Sequence, residues 1–366
     1  MLKTSSLLSV FAFAILFSAC SKTPKNSSGE LYIRPVVDTV GFAHLNWQMD
    51  SISIRISSEF ADQLADAAQE PGTSWRAAIC PHDDYTYASW LYPAVLKNIT
   101  SKTVIIFGVA HRARVFDIEK QLVFDSFDAW QAPYGNVPVS SLRNEIIQQL
   151  PKDLYVVHDS MQAVEHSIES MIPFLQQQNR ELEIVPILVP HMPTSRMDTI
   201  AENLAAVLKS VCEKNRLTWG KDISLLITTD AVHYGDEDWN GWYFSPYGCD
   251  SAGYAKALAL EHEIIDSCFA GELNNEKTNH FYQYTVQEND YKAYKWTWCG
   301  RYSVPLGLKV AWQLQQQENA EPLAGIPIAY ETTISQNHIP VDDLGMGRTA
   351  VATPNHWVGF AAVGFK

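Results

Sequence analysis

Basic side chains are scarce in this 366-residue chain: 27 lysines and arginines face 41 acidic residues, for a formal net charge of −14. That balance argues against nucleic acid or an anionic lipid surface as the main partner, because both demand excess positive charge. Solubility alone accounts for the acidity. No Cys-x-x-Cys pair occurs, which disfavours a zinc ribbon or a thioredoxin-like motif. Nor is there a Gly-x-Ser-x-Gly elbow, so a hydrolase triad assembled on paper from Ser167, Asp230 and His233 has no support from its usual frame. Beyond residue 20 no apolar run is long enough to cross a bilayer, and no internal repeat is visible.

What the chain does have begins at its N-terminus. Lys3 followed by the apolar run from Leu7 to Leu16 reads as a secretory signal, here bounded at 1–19. Phe17-Ser18-Ala19-Cys20 resembles a bacterial lipobox and predicts a diacylglyceryl tether on Cys20; an ordinary signal peptide cut nearby is the alternative. Residues 20–33 open with a polar stretch containing Pro24 and Gly29 that suits a flexible spacer. The expected address is the bacterial cell envelope, at the outer membrane facing the periplasm, with membrane contact through the lipid alone. Once Cys20 is lipidated, Cys80, Cys212, Cys249, Cys268 and Cys299 remain, an odd number that cannot all pair within one chain.

From residue 34 onward the pattern alternates. Short β-branched runs at Ala77–Cys80, Thr103–Phe107, Ile184–Val189 and Ile223–Ile227 read as buried parallel strands, with Pro186 weakening the third as a central one. Helical spacing fills Ser89–Ile99, Val164–Gln178, Ser195–Lys214, Ser251–Phe269 and Val304–Gln317. Ile326–Tyr330 and Val358–Val363 look like closing antiparallel strands. The prediction is one layered α/β domain over 34–366, a mostly parallel central sheet flanked by helices. Residues 236–295, dense in aromatics and acids, read as one helix with long flanking loops over a rim of the sheet.

Histidines follow several of these strands. Pro81-His82-Asp83-Asp84-Tyr85, Ala110-His111, Glu165-His166-Ser167 and Thr229-Asp230-Ala231-Val232-His233 would bring imidazoles and carboxylates to one crevice, because open α/β sheets bind ligands at the carboxyl ends of their strands. Cys80 and His82 lie two apart and could share a side of an extended strand. Cys299 precedes a helix whose N-terminus would favour a thiolate. Each residue alone has a plainer reading: a hydrogen-bonded histidine, an Asp230 helix cap, a helix opening at Glu165-His166-Ser167, a buried free cysteine.

Taken in order, and with Cys299-Gly300-Arg301, these segments resemble the Memo family, the AmmeMemoRadiSam system protein B group. The resemblance runs from about Arg34 to the C-terminus, with the region after Asp236 enlarged. It implies a fold similar to class III extradiol dioxygenases, which use non-haem iron(II). It also implies His82, His111 and Cys299 as metal ligands, with Asp230 and His233 in the same pocket. Asp83-Asp84 stands where the family has Ala-Gly, which adds two charges beside the ligand and puts loop shape and metal preference in doubt. In an oxidising compartment Cys80 and Cys299 could instead pair as a disulfide.

The leading expectation is a lipid-anchored metalloprotein that acts as an oxidoreductase on an unknown small substrate, with iron(II) foremost and copper or zinc as alternatives. His233 would be its general acid or base, oriented by Asp230, and Tyr85, His166 and Arg301 would contact substrate, Arg301 holding an anion if it faces the pocket. Two alternatives are a non-catalytic protein binding a small molecule or peptide on the same scaffold, and a metal-dependent hydrolase.

Overall fold

The computed structural model describes residues 30–239 and 242–366, so the signal sequence, Cys20 and most of the spacer lie outside the described residues. The four apolar runs form strands β1 (Ala77–Cys80), β2 (Thr103–Val109), β3 (Glu183–Val189) and β4 (Ile223–Thr228). They run parallel in the order β1-β4-β2-β3 at the centre of an eleven-stranded mixed sheet. Strand β5 (His233–Trp239) follows β4 directly, and the closing strands β6 (Ala324–Thr332) and β7 (His356–Phe365) are antiparallel as expected, β7 pairing with both β1 and β5.

Alternation along the strands feeds two separate cores. Ile79, Ile105, Phe107, Leu225 and Ile227 bury against helices α4 (Thr194–Asn215), α5 (Ser251–Cys268), α6 (Asn275–Thr285) and α7 (Ser303–Glu318). Ala78, Val104, Ile106 and Leu226 face the opposite layer, with α1 (Asn46–Glu59), α2 (Leu91–Leu96) and α3 (Ile172–Gln178). The clear apolar stripe of α4, from Met197 through Leu204 to Val211, is wholly buried. Helices on both faces make the architecture α/β.

Several boundaries differ from the sequence reading. Pro186 does sit inside the sheet, opposite Ile106. It shares parity with Ile184 and Leu188, whose other edge meets only single residues, Val139 and Val123, so the missing N–H falls between two isolated bridges. The helix expected at Ser89–Ile99 is two short pieces, Tyr85–Ala88 and α2, broken at Ser89 where φ is 20°. Val164–Gln178 becomes helical only from Ile172 in α form, with Pro173 in its first turn, which frees 164–168 to reach the site as a loop. Residues 236–295 hold two helices and strand pairs rather than one helix between loops. The polar composition of α6, in which only Thr278, Phe281 and Thr285 are buried, hid it.

The described chain starts with an anchor. Ile33–Arg34 pairs in parallel with Ala129–Trp130. Arg34 is fully buried, donates to Glu169 Oε2 at 2.6 Å and to the carbonyls of Glu165 and Gln162, and lies 3.9 Å over the Trp130 ring. Removing one partner of such a pair costs about 3–5 kcal/mol, since the other charge stays buried alone.

Asp125 offers a test of burial against pairing. Its carboxylate accepts from Arg143 Nη1 and Trp130 Nε1, both at 2.7 Å, yet burial outweighs the nearby cation and pushes its pKa up to about 6. A folded pKa above the unfolded value means stability that is present below about pH 4 and lost as pH rises through about 6. Asp125→Asn should therefore flatten the decline in urea midpoint between pH 4 and 6.5 relative to wild type; parallel curves would show that the Arg143 pair dominates.

Candidate metal centre

The carboxyl ends of the parallel strands open into a cavity of about 550 Å³. His82 follows β1 and is 2 % exposed. Its Nδ1 pairs with Thr228 Oγ1 at 3.1 Å, which leaves Nε2 turned toward Cys299 Sγ at 3.5 Å and Asp230 Oδ2 at 3.4 Å. His111 follows β2, and its Nδ1 and backbone N–H both meet the Glu165 carboxylate at 2.7 Å. Metal-ligating histidines ordinarily carry such a partner on the second nitrogen, which fixes the ring and raises its basicity. The rings of His82 and His111 stand 5.3 Å apart, edge to face.

Cys299 is held by the residues that follow β4. Its Sγ accepts the Asp230 N–H at 3.0 Å, Thr229 Oγ1 lies 3.7 Å away, and Gly300 N–H donates to the same hydroxyl at 3.0 Å. Gly300 is required there, because a Cβ would fall 2.3 Å from Thr229 Oγ1. Behind it, the buried Glu261 on α5 accepts from Trp298 Nε1 at 2.8 Å, Trp296 Nε1 at 2.5 Å and Tyr330 Oη at 2.8 Å, which fixes the strand of chain that delivers the cysteine. No motif marked Glu261 as a positioning residue; a lone acid among the apolar positions of a helix was the only available sign.

Two groups of donors share His82: His82, His111 and His166, and His82, Asp230 and Cys299, each with ligand atoms within 4.8 Å of one another. Donors about 2.0–2.3 Å from a tetrahedral metal sit ~3.5 Å from each other, which is the His82–Cys299 separation. The donor set therefore fits a divalent metal. Protonation differs from donor to donor. Burial and the neighbouring histidines hold His82 well below its ordinary pKa, as a neutral imidazole ready to ligate. His166, although burial opposes it, is raised to about 9 by Asp38 and Glu165, so at neutral pH it is a cation. A metal bound there would have to displace that proton, as it would at Cys299, whereas His82 needs no such exchange. Glu165, also against the pull of burial, is kept at about 2 by His111 and His166.

Other expectations are corrected. Tyr85 lies outside the cavity wall: it is fully buried, donates to the Ser170 carbonyl at 2.6 Å and packs against Phe42, Tyr92 and Phe174. Cys80 ends β1 inside the apolar core and does not share the site with His82, and the five described cysteines are free. The helix N-terminus does not prevail at Cys299, whose thiol is pushed well up by burial and by Asp230. His233 lines the cavity, but burial and the charges of His111 and His356 depress it to about 3, too low for the acid-base role read from its ordinary pKa. Asp230 neither caps a helix nor serves His233 first: its Oδ1 accepts the His82 N–H at 3.0 Å. Burial raises both Asp230 and Asp83 above the ordinary carboxylate range, so these two cavity carboxyls hold a proton between them beside the donors. Arg301 does face the cavity.

The Asp83-Asp84 departure has a structural account. Asp83 and Asp84 both line the cavity; Asp84 is 1 % exposed and accepts from Thr349 N–H at 2.6 Å. Its Oδ1 fills the space over Gly41, where a Cβ would lie 2.0 Å from it and where φ is +82°. His191, absent from the sequence reading, also lines the wall and meets Glu119 Oε2 at 3.1 Å; it follows β3 with only a Pro190 between them, the same post-strand signal that marked His111.

The family model described as "Memo-like protein" matches residues 55–324. A MEMO1 family protein of Thermotoga petrophila is 30% identical over 181 residues, covering 48% of this chain and 60% of its own length. One from Aquifex aeolicus is 30% identical over 162 residues, covering 43% and 54%; another from Thermococcus kodakarensis is 27% identical over 169, covering 43% and 53%. The chain thus matches little more than half the length of these relatives. With the family model spanning most of the sequence and the ordered histidines and cysteine gathered at one sheet edge, this chain belongs to the Memo-like protein family.

Proposed function

We propose that the protein is a metal-dependent oxidoreductase of dioxygenase-like type, acting on a small molecule. The observation that carries this reading is the pair of imidazoles whose Nδ1 atoms are committed to Thr228 and Glu165, beside a cysteine sulfur 3.5 Å from His82 Nε2. His82, His111 and Cys299 would hold the metal, with iron(II) preferred and copper or zinc as alternatives, because two neutral imidazoles and one anionic sulfur suit those ions. Such an ion supplies oxygen or substrate activation at its remaining coordination positions.

The chain's own groups do the rest. Thr228 and Glu165 orient the imidazoles, and the Asp230 N–H stabilises the sulfur as it gives up its proton. Asp230 moves a proton at Oδ2, and the cationic His166 attracts an anionic reactant. A hydrolase reading would use the same carboxylate as base. The reading extends to setting: the lipobox-like Phe17-Ser18-Ala19-Cys20 supports a lipid-anchored protein of the outer membrane, facing the periplasm.

His82→Ala and Cys299→Ser should each remove the bound metal, measured by elemental analysis of anaerobically purified protein, with His82→Ala keeping the wild-type circular dichroism. Near-stoichiometric metal retained by His82→Ala would sink the assignment, and oxygen uptake by the iron-loaded protein separates oxidoreductase from hydrolase. Glu165→Gln, which keeps one hydrogen bond to His111 and loses the charge, should weaken metal affinity by about 10–100-fold. Unchanged affinity would mean that His111 is no ligand. Cys20→Ser should move the protein from the membrane to the soluble fraction; membrane association that persists would refute the lipid tether.

A further inference from the structure

One wall of the cavity carries cations without counter-ions. Arg301 is 5 % exposed and lines the cavity, its guanidinium carbon 3.2 Å from the ring centroid of Tyr294 and 4.7 Å from that of Tyr302. Nη2 donates to the Lys292 carbonyl at 3.2 Å, and Nε has no hydrogen-bond partner. Arg114, exposed and on the same wall, donates Nη2 to that same carbonyl at 2.8 Å. Two guanidiniums therefore converge on one peptide oxygen. Among the described residues neither meets a carboxylate at ion-pair distance; Glu119, the acid in this neighbourhood, is taken by Lys292 and His191.

A buried guanidinium without an anion is costly, and the aromatic rings that hold it fix its plane without neutralising it. The rigid fork is presented ready for a planar acceptor. We infer that this wall is the seat of a carboxylate, so that the cavity's ligand is a small organic monoanion bound at Arg301 and Arg114 with its remainder reaching the donor cluster around His82. A cavity of about 550 Å³ is the size that takes a small molecule. The inference rests on the proposed function only for what happens at the ligand's far end.

The test is calorimetric titration of chelator-stripped protein with benzoate, benzamide and phenyl phosphate at constant ionic strength. Benzoate should bind at least about tenfold more tightly than benzamide, and Arg301→Gln should abolish that preference. Because Arg301 is buried, Arg114→Gln serves as the second variant; it should weaken benzoate about threefold or more while leaving benzamide unchanged. His82→Ala should keep benzoate binding. If wild type takes up no metal but Arg301-dependent benzoate binding persists, the oxidoreductase reading fails and the carboxylate seat stands. Equal affinity for benzoate and benzamide, no binding of either, or benzoate binding lost in His82→Ala but kept in both arginine variants would overturn the seat. Arg301-dependent binding of phenyl phosphate in preference to benzoate would overturn the carboxylate assignment in favour of a phosphate ester.

Discussion

Three consecutive residues, Thr228, Thr229 and Asp230, hold the site together. They leave the carboxyl end of β4 between the two segments that matter most, and each one is bonded to both neighbours or to one of them. Thr228 fixes the His82 ring and its carbonyl accepts from Ser303 Oγ at 3.0 Å; Thr229 receives Gly300; Asp230 receives the His82 N–H and donates its own to Cys299. Residues 82 and 299 are far apart in sequence, and their side chains meet only because this tripeptide bonds to both. The parallel pairing of β1 with β4 supplies the register, Cys80 opposite Thr228, that makes the arrangement possible.

Burial sets the chemistry around that scaffold, and it does so unevenly. Desolvation makes His82 and His233 neutral and keeps Cys299 a thiol until something replaces its proton. Where a partner lies close enough, pairing wins instead: Glu165 stays ionised and His166 stays protonated although burial opposes both. The donor end of the cavity thus mixes neutral and acidic groups with one cationic imidazole, while its other wall presents arginines. A cavity with two such poles orients what enters it before any reaction begins.

Much of this was legible in the sequence, for identifiable reasons. The four central strands and the long helices α4, α5 and α7 follow from apolar periodicity that tertiary contacts reinforce. His82, His111, Asp230 and Cys299 were found because each follows a strand or precedes a helix within an ordered set of segments. What escaped depends on geometry that no local pattern encodes. Tyr85 shares its segment with His82 yet turns into the core, and the helix expected to start at Val164 gives way to a loop that brings Glu165 to His111. Pro186 was discounted as central because the patchy pairing of its outer edge cannot be read from composition. His233 kept its expected place but not its expected proton affinity, since burial depends on what packs above it.

The contact between Gly41 and Asp84 makes two distant positions share a single volume. The carboxylate fills the space that any side chain at 41 would need, and the backbone there is left-handed. An acid at 84 therefore commits the chain to glycine at 41, whereas a glycine at 84 would remove the steric part of that demand and leave the conformational part. Across related chains the two sites should drift together, and exchanging the loop around His82 between family members without its N-terminal counterpart would transplant half of a matched pair.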